Sequence, residues 1–365
     1  MNPRPAPYRK TLKLAGAVVC ALALLATGKP LHSQEKPNLS VEVKVVTVYA
    51  SVRDKKGKLI SDLPKEGFVL NEDGRPQTIR YFARESDVSL ELGLLVDTSL
   101  SQRKVIGEER TASQSFLDHM LRADKDKAFV IHFDHEVELL QDLTSSRTKL
   151  EDALNLLEVQ QPEFTRRGTS GGGGGGGGGW PGGGHGGGGG RHGMGGGTLL
   201  YDAVYLASND VLQHQRGRKA IILLTDGVDR GSRETLETAV EYAQKADTLV
   251  YAILYPGEEG NDYGHRGYGG WGGPRGGRYP QEERPDGKKV LERIAGETGG
   301  RMFQVSKKLT IEDIYAQIGD DLRNQYSLGY TPDRADPGLG FHKILVTTKE
   351  KDLTVQARSG YYYQP

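Results

Sequence analysis

The chain has 365 residues, with 48 basic and 48 acidic residues and therefore a formal net charge of zero. This length allows one large domain with a smaller one, or two of medium size. The balanced charge favours neither nucleic acid nor an anionic membrane as a partner. Glycine is over-represented at 51 residues, and most of the excess lies in two tracts. Outside these tracts, strand-like and helix-like segments alternate, as in a packed globular protein.

Residues 1–33 have the pattern of an export signal. A basic head that includes Arg9 and Lys13 precedes an uncharged apolar run from Leu14 to Thr27, and small residues follow. The run is shorter than the ~20 residues of an ordinary membrane span, so we expect cleavage and no stable span in the mature chain. An uncleaved anchor is the alternative. The mature protein is therefore predicted to be exported, to the periplasm, the cell surface or the surrounding medium.

Cys20 is the only cysteine, and it lies inside the apolar run of the signal. The mature chain would then have no disulfide, no thiolate nucleophile and no zinc–thiolate site. An exported protein without disulfides must rely on its apolar core, and the remaining length is sufficient to form one.

The two ends of the mature chain show the alternating pattern of half-buried strands. Residues 40–86 include a predicted hairpin, in which Phe68 to Leu70 and Thr78 to Phe82 flank a turn at Asp73-Gly74. Residues 325–365 contain three further alternating segments, which we interpret as three strands. Each end alone has too few strands to be stable, so we expect the two to pair in one small β-sandwich-like region.

Residues 89–323, between these ends, have a different pattern. Uninterrupted apolar runs recur, and amphipathic segments of helical periodicity separate them. Strands without alternation, separated by helices, predict an α/β fold with a mostly parallel central sheet that helices cover on both faces. The runs are Leu92 to Val96, Ala128 to Phe133, Ala220 to Leu224 and Leu249 to Leu254.

Two glycine-rich insertions, residues 171–197 and 257–287, interrupt this region. Neither has enough apolar residues to offset the chain entropy lost on folding, so both are expected to be flexible. The first ends beside Thr198 and the second follows the last apolar run, so both should border the same edge of the sheet. A transition-metal site at His185 and His192 is disfavoured by its ordering cost. RNA binding by the second insertion is disfavoured by the export signal and the neutral charge.

Oxygen-bearing side chains collect at three ends of the predicted strands and helices. The segment D-T-S-L-S follows the first apolar run, T-D-G follows the third, and a threonine after glycine opens a helix. Ligands bind beyond the carboxyl ends of the strands in an open parallel sheet. Carboxylates and hydroxyls without histidine or cysteine suit Mg²⁺ or Mn²⁺. The oxygen-bearing residues at these three ends are Asp97, Thr98, Ser99, Ser101, Thr198, Asp202, Thr225 and Asp226.

In chain order, with D-T-S-L-S first, the threonine at the helix start second and T-D-G last, the three segments resemble the metal-ion-dependent adhesion site (MIDAS) of von Willebrand factor type A (VWFA) domains. The resemblance implies that the metal ligands are Asp97, Ser99, Ser101, Thr198 and Asp226. The resemblance covers roughly residues 89–321 and implies a VWFA-like, Rossmann-like central sheet wrapped by helices. It also implies a divalent ion whose shell is completed by an acidic side chain of a protein partner. Leu100 stands where the family usually has glycine. The flanks are similar to those of the secreted VWFA-related Acidobacterial domain family.

Each motif also has a simpler interpretation. D-x-S-x-S can cap a helix, and T-D-G is common at turns. Asp202 is expected to be a first-turn residue that the helix dipole favours, rather than a ligand. Tyr361 to Tyr363 are expected to pack against the β-region. The charged residues expected to be solvated in loops are Asp134, His135, Asp142 and Asp229.

The sequence thus predicts an exported, non-enzymatic protein-binding or adhesion module that captures a partner's Asp or Glu carboxylate through Mg²⁺ or Mn²⁺. No G-x-S-x-G elbow and no phosphate-cradling loop occurs, so catalysis is disfavoured, with a metal-dependent hydrolase as one alternative. A glycine-rich structural protein of the cell envelope is the other. It would explain the tracts but not the three-part site. The sequence leaves the partner, the final compartment and the oligomeric state open.

Overall fold

The computed structural model describes residues 45–85, 88–158, 197–255, 286–334 and 338–363. The predicted export signal and nearly all of both glycine-rich insertions lie outside the described residues. Within the described part of the chain, no helix has the length and apolar character needed to cross a membrane.

Strands make up much of the described chain and form three sheets. In chain order the strands are β1 (Val46–Asp54), β2 (Phe68–Glu72), β3 (Arg75–Gln77), β4 (Tyr81–Glu85), β5 (Leu90–Asp97), β6 (Lys127–Phe133), β7 (Val137–Thr144), β8 (Arg218–Thr225), β9 (Thr248–Leu254), β10 (Met302–Gln304), β11 (Gln325–Tyr330), β12 (Gly340–Thr348), β13 (Leu353–Ala357) and β14 (Gly360–Tyr363). The helices are α1 (Ile106–Met120), α2 (Arg147–Asn155), α3 (Leu200–Leu206, continued as a π-helix over Ala207–Leu212), α4 (Leu236–Lys245), α5 (Gly287–Thr298) and α6 (Ile311–Arg323).

The central sheet has six strands in the order β10-β9-β8-β5-β6-β7. All neighbouring strands are parallel except β6 and β7, which are antiparallel. Every residue of β5, β8 and β9 is buried, because helices cover both faces of the sheet. One core lies between the sheet and α1, α2 and α6, and the other between the sheet and α3, α4 and α5. The α/β fold class predicted from the apolar runs is confirmed.

The chain ends form two four-stranded antiparallel sheets, β13-β1-β11-β4 and β14-β12-β2-β3. Residues of both sheets share one apolar core, in which Phe68 and Tyr326 pack edge-on with ring centroids 5.0 Å apart. Each sheet contains strands from both flanks, as the predicted fold class requires. We call this region the β-sandwich.

Two ion pairs, one of them with a buried carboxylate, join the β-sandwich to the α/β region. Asp321 in α6 is almost fully buried and forms ion pairs with Arg53 of β1 and with Arg301, which lies 3.1 Å away just before β10. Arg358, between β13 and β14, pairs with Asp247 before β9 and also donates to the carbonyl of Thr47 at 2.7 Å. Of these contacts, Arg53–Asp321 and Arg358–Asp247 each join a residue of the β-sandwich to one of the α/β region.

Two predicted strand boundaries in the β-sandwich are wrong. The strand that returns from the Asp73-Gly74 turn is β3, whereas β4 pairs with β11 in the opposite sheet. Pro76 lies in β3, which is an edge strand, where a missing amide donor is tolerated. The last predicted strand is in fact two, β13 and β14, and they belong to different sheets.

Candidate metal centre

Strand β5 carries Asp97 to the carboxyl edge of the central sheet. All eight residues of the strand are buried, and Asp97 itself has no exposed surface. Its Oδ1 accepts a hydrogen bond of 2.9 Å from the backbone amide of Ser99, which turns the chain away from the strand. A short 3₁₀ turn over Leu100–Gln102 follows and leads into α1. The fixed strand end and the local turn therefore determine the direction of the Asp97 carboxylate.

The other carboxylate oxygen of Asp97 is held by the neighbouring strand. The hydroxyl of Thr225, the last residue of β8, donates to Asp97 Oδ2 at 2.6 Å. The amide of Gly227 in turn donates to Thr225 Oγ1 at 3.1 Å. Because β5 and β8 are adjacent and parallel, D-x-S-x-S and T-D-G meet at the same edge of the sheet.

Burial raises the pKa of Asp97 to about 6, even though hydrogen bonds from Ser99 and Thr225 act to lower it. The charge of Asp226 adds to the increase, so the two carboxyl groups interact. Ionising Asp97 is costly because the carboxylate is buried and Asp226 nearby is also negatively charged. A bound cation would reduce this cost. A divalent ion would supply that positive charge.

The serine hydroxyls of the motif lie together outside Asp97. The hydroxyl oxygens of Ser99 and Ser101 are 2.9 Å apart, and Ser101 Oγ also accepts a hydrogen bond of 3.2 Å from Gln102 Nε2. Ser99 is half-buried and Ser101 is exposed, so this side of the group faces solvent. Leu100, between them, is 47% exposed.

The loop after β8 holds Asp226 against the start of α5. Asp226 Oδ1 accepts a hydrogen bond of 3.0 Å from the amide of Val228. Gly227 has a φ of +78°, and a β-carbon there would lie 2.4 Å from the carbonyl oxygen of Gly287. A side chain at position 227 would therefore displace the loop, which explains the glycine in T-D-G.

Thr198 is buried and is tied by its backbone to the same loop. Its carbonyl accepts a hydrogen bond of 2.8 Å from the amide of Arg230, and the amide of Leu199 donates to the carbonyl of Asp134 at 2.8 Å. A β-carbon on Gly197 would lie 2.7 Å from the carbonyl oxygen of Arg230. The segment before α3 thus packs tightly between the loops that follow β6 and β8.

The predicted ligands thus lie on adjoining segments at the carboxyl edge of the central sheet. Side-chain and backbone hydrogen bonds link Asp97, Ser99 and Ser101 directly, while Asp226 follows the threonine that bonds Asp97. Backbone hydrogen bonds connect the Thr198 segment to the loop that carries Asp226. The atoms that these side chains could offer to a metal ion are all oxygens, and an all-oxygen set fits Mg²⁺ or Mn²⁺.

Two residues expected to be solvated, Asp134 and Asp229, accept hydrogen bonds that hold their loops. Asp134 is 4% exposed, and its Oδ1 accepts a hydrogen bond from the amide of Glu136 at 3.1 Å. Asp229 accepts from the hydroxyl of Ser232 at 2.5 Å, which holds the loop after β8 against the start of α3. The prediction for Asp134 is wrong, because the loop after β6 packs against the segment before α3 and leaves this carboxylate as an internal acceptor. Asp229 remains partly exposed in its loop.

Asp202 lies in the first turn of α3, as predicted. Its carboxylate accepts hydrogen bonds from the amides of Arg233 at 3.0 Å and Glu234 at 2.9 Å. Asp202 therefore also orients the loop that leads into α4.

Glu109 lies close enough to Asp97 for their charges to interact, but none of the sequence motifs includes it. It lies in α1 with no exposed surface, and neither carboxylate oxygen has a hydrogen-bond partner among the described residues. Burial raises its pKa well above the usual range, and the charge of Asp97 raises it further. A sequence signal was available, because Glu109 precedes Ala112, Ser113 and Phe116 at the spacing of a buried helix face.

No protein-family model matches the chain, and no curated protein does. Among similar solved structures is a proximal thread matrix protein of the mussel byssus, at 14% identity and a TM-score of 0.43, covering 69% of this chain. This chain spans about half of that protein's length, 51%, and a further structure of it has a zinc-occupied MIDAS motif.

Two other similar structures are bacterial. A von Willebrand factor type A structure from Catenulispora acidiphila is 11% identical, covers 86% of this chain and 72% of its own, and has a TM-score of 0.43. The vWF domain of the pilus tip protein Mfa5 from Porphyromonas gingivalis is 10% identical, covers 64% and 95%, and has a TM-score of 0.41. Likenesses this distant identify neither a ligand nor an activity. The two bacterial structures are von Willebrand factor A domains, and the three motifs of this chain, in their order, resemble the metal site of that domain type.

Proposed function

We propose that this chain is an exported, non-enzymatic protein-binding module that captures a partner's carboxylate through one Mg²⁺ or Mn²⁺. Residues 89–323 form its VWFA-like domain, and residues 40–86 and 325–365 form the supporting β-region. The residues that would hold the ion directly or through water are Asp97, Ser99, Ser101, Thr198 and Asp226.

The observation that carries this proposal is the fixed, buried carboxylate of Asp97. Ser99 and Thr225 orient both of its oxygens, and Asp226 lies close enough to raise its pKa. Such an arrangement favours a cation, and the oxygen-only donors select a hard one.

The two serine hydroxyls, which are uncharged and face solvent, favour a carboxylate of a partner protein as a further ligand of the ion. Ser99 and Ser101 are neutral, and they lie on the side of the group that faces solvent. An ion held partly by neutral hydroxyls keeps uncompensated positive charge, which an Asp or Glu side chain of a partner would neutralise. Leu100 lies between the two serines, so a partner that reaches the ion must pass its exposed side chain.

The metal site is tested by titrating Mg²⁺ and Mn²⁺ into the mature chain and into Asp97→Asn by calorimetry. Asparagine keeps the shape of the side chain and can still accept a hydrogen bond, so the fold should survive while the charge is lost. We expect one divalent site in the parent and a large loss of affinity in the variant. Asp142→Asn is the matched control. Equal titrations of the parent and Asp97→Asn would contradict the proposal.

Partner capture is tested by comparing envelope proteins retained by the immobilised mature chain in magnesium and in EDTA. Capture should require magnesium and should fail with Asp97→Asn. Leu100→Gly should change capture while the metal affinity stays the same, because Leu100 contributes no metal-binding oxygen. Magnesium-independent capture, equal for the parent and Asp97→Asn, would contradict a metal-mediated contact.

A further inference from the structure

A second group of potential metal ligands lies in the β-sandwich, away from the edge that carries Asp97. Glu72 is the last residue of β2, Asp73 begins the turn after it, and His342 lies in the neighbouring strand β12. The antiparallel register places Ile344 opposite Glu72, and the amide of Asp73 donates to the carbonyl of Lys343 at 2.9 Å. One ligand atom from each of the three side chains lies within 4.8 Å of the others.

Two of the three distances within this group lie near those expected around a small tetrahedral ion. His342 Nδ1 is 2.9 Å from Asp73 Oδ2 and 3.7 Å from Glu72 Oε1. Zinc bonds of about 2.0–2.1 Å in tetrahedral geometry would place ligand atoms roughly 3.3–3.4 Å apart. The two observed separations lie on either side of that value, so small side-chain rotations would meet it.

Each of the three side chains is oriented by a further partner. His342 Nε2 is 3.1 Å from the carbonyl of Gly338, so a proton on Nε2 leaves the lone pair of Nδ1 directed at the carboxylates. Asp73 Oδ1 accepts from the amide of Lys343 at 3.0 Å, and Glu72 Oε1 accepts from the hydroxyl of Tyr361 at 3.2 Å. A histidine that donates its other ring N–H to a carbonyl is the usual arrangement at metal sites.

The buried carboxylate of Glu72 is incompletely satisfied. Glu72 is 5% exposed, and its Oε2 has no hydrogen-bond partner among the described residues. The buried hydroxyl of Tyr330 also has no partner by distance and angle within the described part of the chain, although burial and the nearby Glu72 carboxylate both raise the pKa of Tyr330. A buried carboxylate oxygen without a partner is costly, and a cation at the group would remove that cost. Two carboxylates facing one histidine also leave a net negative charge.

We propose that Glu72, Asp73 and His342 bind one Zn²⁺, independently of the centre at Asp97. A nitrogen ligand combined with carboxylates favours zinc over magnesium, in contrast to the oxygen-only set at the other site. The Asp73 side chain is 30% exposed, so the fourth position is open to water from that side. Such an ion would connect the turn after β2 to β12 and so stabilise this end of the β-sandwich.

The competing assignment is a metal-free network. In it, His342 is an imidazolium that donates to Asp73 and to the carbonyl of Gly338, and the hydroxyl of Tyr330 turns to Glu72. Both assignments contain the same side chains, but only one of them predicts zinc binding.

The test is a zinc titration of the full mature chain, without an affinity tag and in excess Mg²⁺, so that the Asp97 centre is occupied. The parent carries His185→Ser and His192→Ser, which removes the histidines of the first glycine-rich insertion as a second zinc source. Glu72→Gln and His342→Gln are compared with His214→Gln, an exposed histidine that serves as the matched control.

We expect one zinc equivalent in the parent, at least a ~10-fold loss of affinity in Glu72→Gln and His342→Gln, and no change in His214→Gln. Zinc should also raise the Tm of the parent but not of Glu72→Gln, because a ligand that binds only the native state stabilises it. Circular dichroism in EDTA shows whether each variant folds, and Glu72→Gln decides the question if His342→Gln does not. A parent that binds no zinc, or a Glu72→Gln that binds it equally well, overturns the assignment.

Discussion

The α/β region and the β-sandwich admit polar side chains at different places. In β5 and β8 every residue is buried, and the polar groups of the candidate centre lie at the strand ends or beyond. In β12, buried residues alternate with residues that are partly or fully exposed, and the buried His342 lies inside the strand. A site at strand ends follows from short motifs in the sequence. A site inside an antiparallel sheet depends on register, which brings together residues that are far apart in the chain.

The two groups also differ in how their carboxylates are compensated. At the α/β edge, Asp97 has only neutral hydrogen-bond donors, and the nearby charge of Asp226 is also negative. In the β-sandwich, Asp73 faces His342, and the hydrogen bond and charge of that imidazole lower its pKa although burial acts to raise it. The group around Asp97 therefore favours a hard cation. The group around Asp73 and His342 can bind either a proton or a softer metal ion.

The largest effect is expected where the two regions meet. Asp321→Ala would leave Arg53 and Arg301 without their shared carboxylate, and removing one partner of a buried ion pair costs ~3–5 kcal/mol. The free energy of unfolding, measured in urea by circular dichroism, should fall by that amount. The exposed neighbour Asp320→Ala should change it by less than about 0.5 kcal/mol. Similar losses in both variants would mean that the ion pairs do not join the regions.

A leucine in each region tests the difference in burial. Leu94 is fully buried in β5, so Leu94→Ala should lower the free energy of unfolding by ~2–5 kcal/mol. The variant loses the free energy gained by removing the leucine side chain from water, and it leaves a cavity in the core. Leu345 in β12 is 54% exposed, and Leu345→Ala should change it by less than about 0.5 kcal/mol. Urea denaturation of both variants measures the contrast. A large loss at Leu345 would show that this face of β12 is covered in solution.

Asp126 should make the stability of the α/β region depend on acid pH. Burial acts to raise the pKa of Asp126, but hydrogen bonds from Arg122 and from the amide of Leu90 outweigh it and lower the pKa. A lowered pKa stabilises the folded state above the unfolded value of about 3.9, and this contribution disappears as the pH falls below it. Asp126→Asn should therefore be less stable than the parent at neutral pH. The difference in the free energy of unfolding between the two proteins should become smaller towards pH 3.

Urea denaturation at several pH values measures this gap. The exposed Asp124→Asn serves as the control and should show a constant difference from the parent. If the difference between Asp126→Asn and the parent stays constant down to acid pH, the ionised carboxylate of Asp126 does not stabilise the folded state as proposed.

The smallest effect is expected from shortening the first glycine-rich insertion. Deletion of Gly171 to Gly193, with Gly197 and Thr198 retained, should change the free energy of unfolding by less than about 0.6 kcal/mol, because loop entropy varies slowly with length. Metal affinity, measured by calorimetry, should also stay the same. If capture of a partner falls while metal affinity persists, the insertion belongs to the recognition surface. If both persist, it is a tolerated insertion.

The sequence predicted the α/β region well because its signals are local. The apolar runs Leu92 to Val96 and Ala220 to Leu224 lie in β5 and β8, and Phe116 and Met120 lie on the buried face of α1, as their spacing indicates. Continuous burial of strands and one-sided burial of helices leave regular patterns. The candidate ligands could be named because they lie at or near strand and helix ends and match the short motifs of the family that the sequence resembles.

The β-sandwich was less predictable because its pairing is not local. Strand β4 alternates as a hairpin partner would, yet it crosses to the other sheet, and nothing near Tyr81 specifies that choice. The Glu72–Asp73–His342 group was missed because His342 lies about 270 residues after Asp73, and only strand register joins them. Glu109 belongs to none of the three motifs, so only its position on the buried face of α1 places it near Asp97.

The pairing of β1 has a consequence for the timing of folding during synthesis. Val46 of β1 lies opposite Tyr330 of β11, and Ala50 lies opposite Ala357 of β13. At ~5–20 residues per second, the ribosome makes these partners on the order of 15–60 s after β1. For that period β1 has two open edges and an apolar face but no partner strand. During this interval the unpaired edges of β1 can pair with other chains, and they are covered only once β11 and β13 have been made.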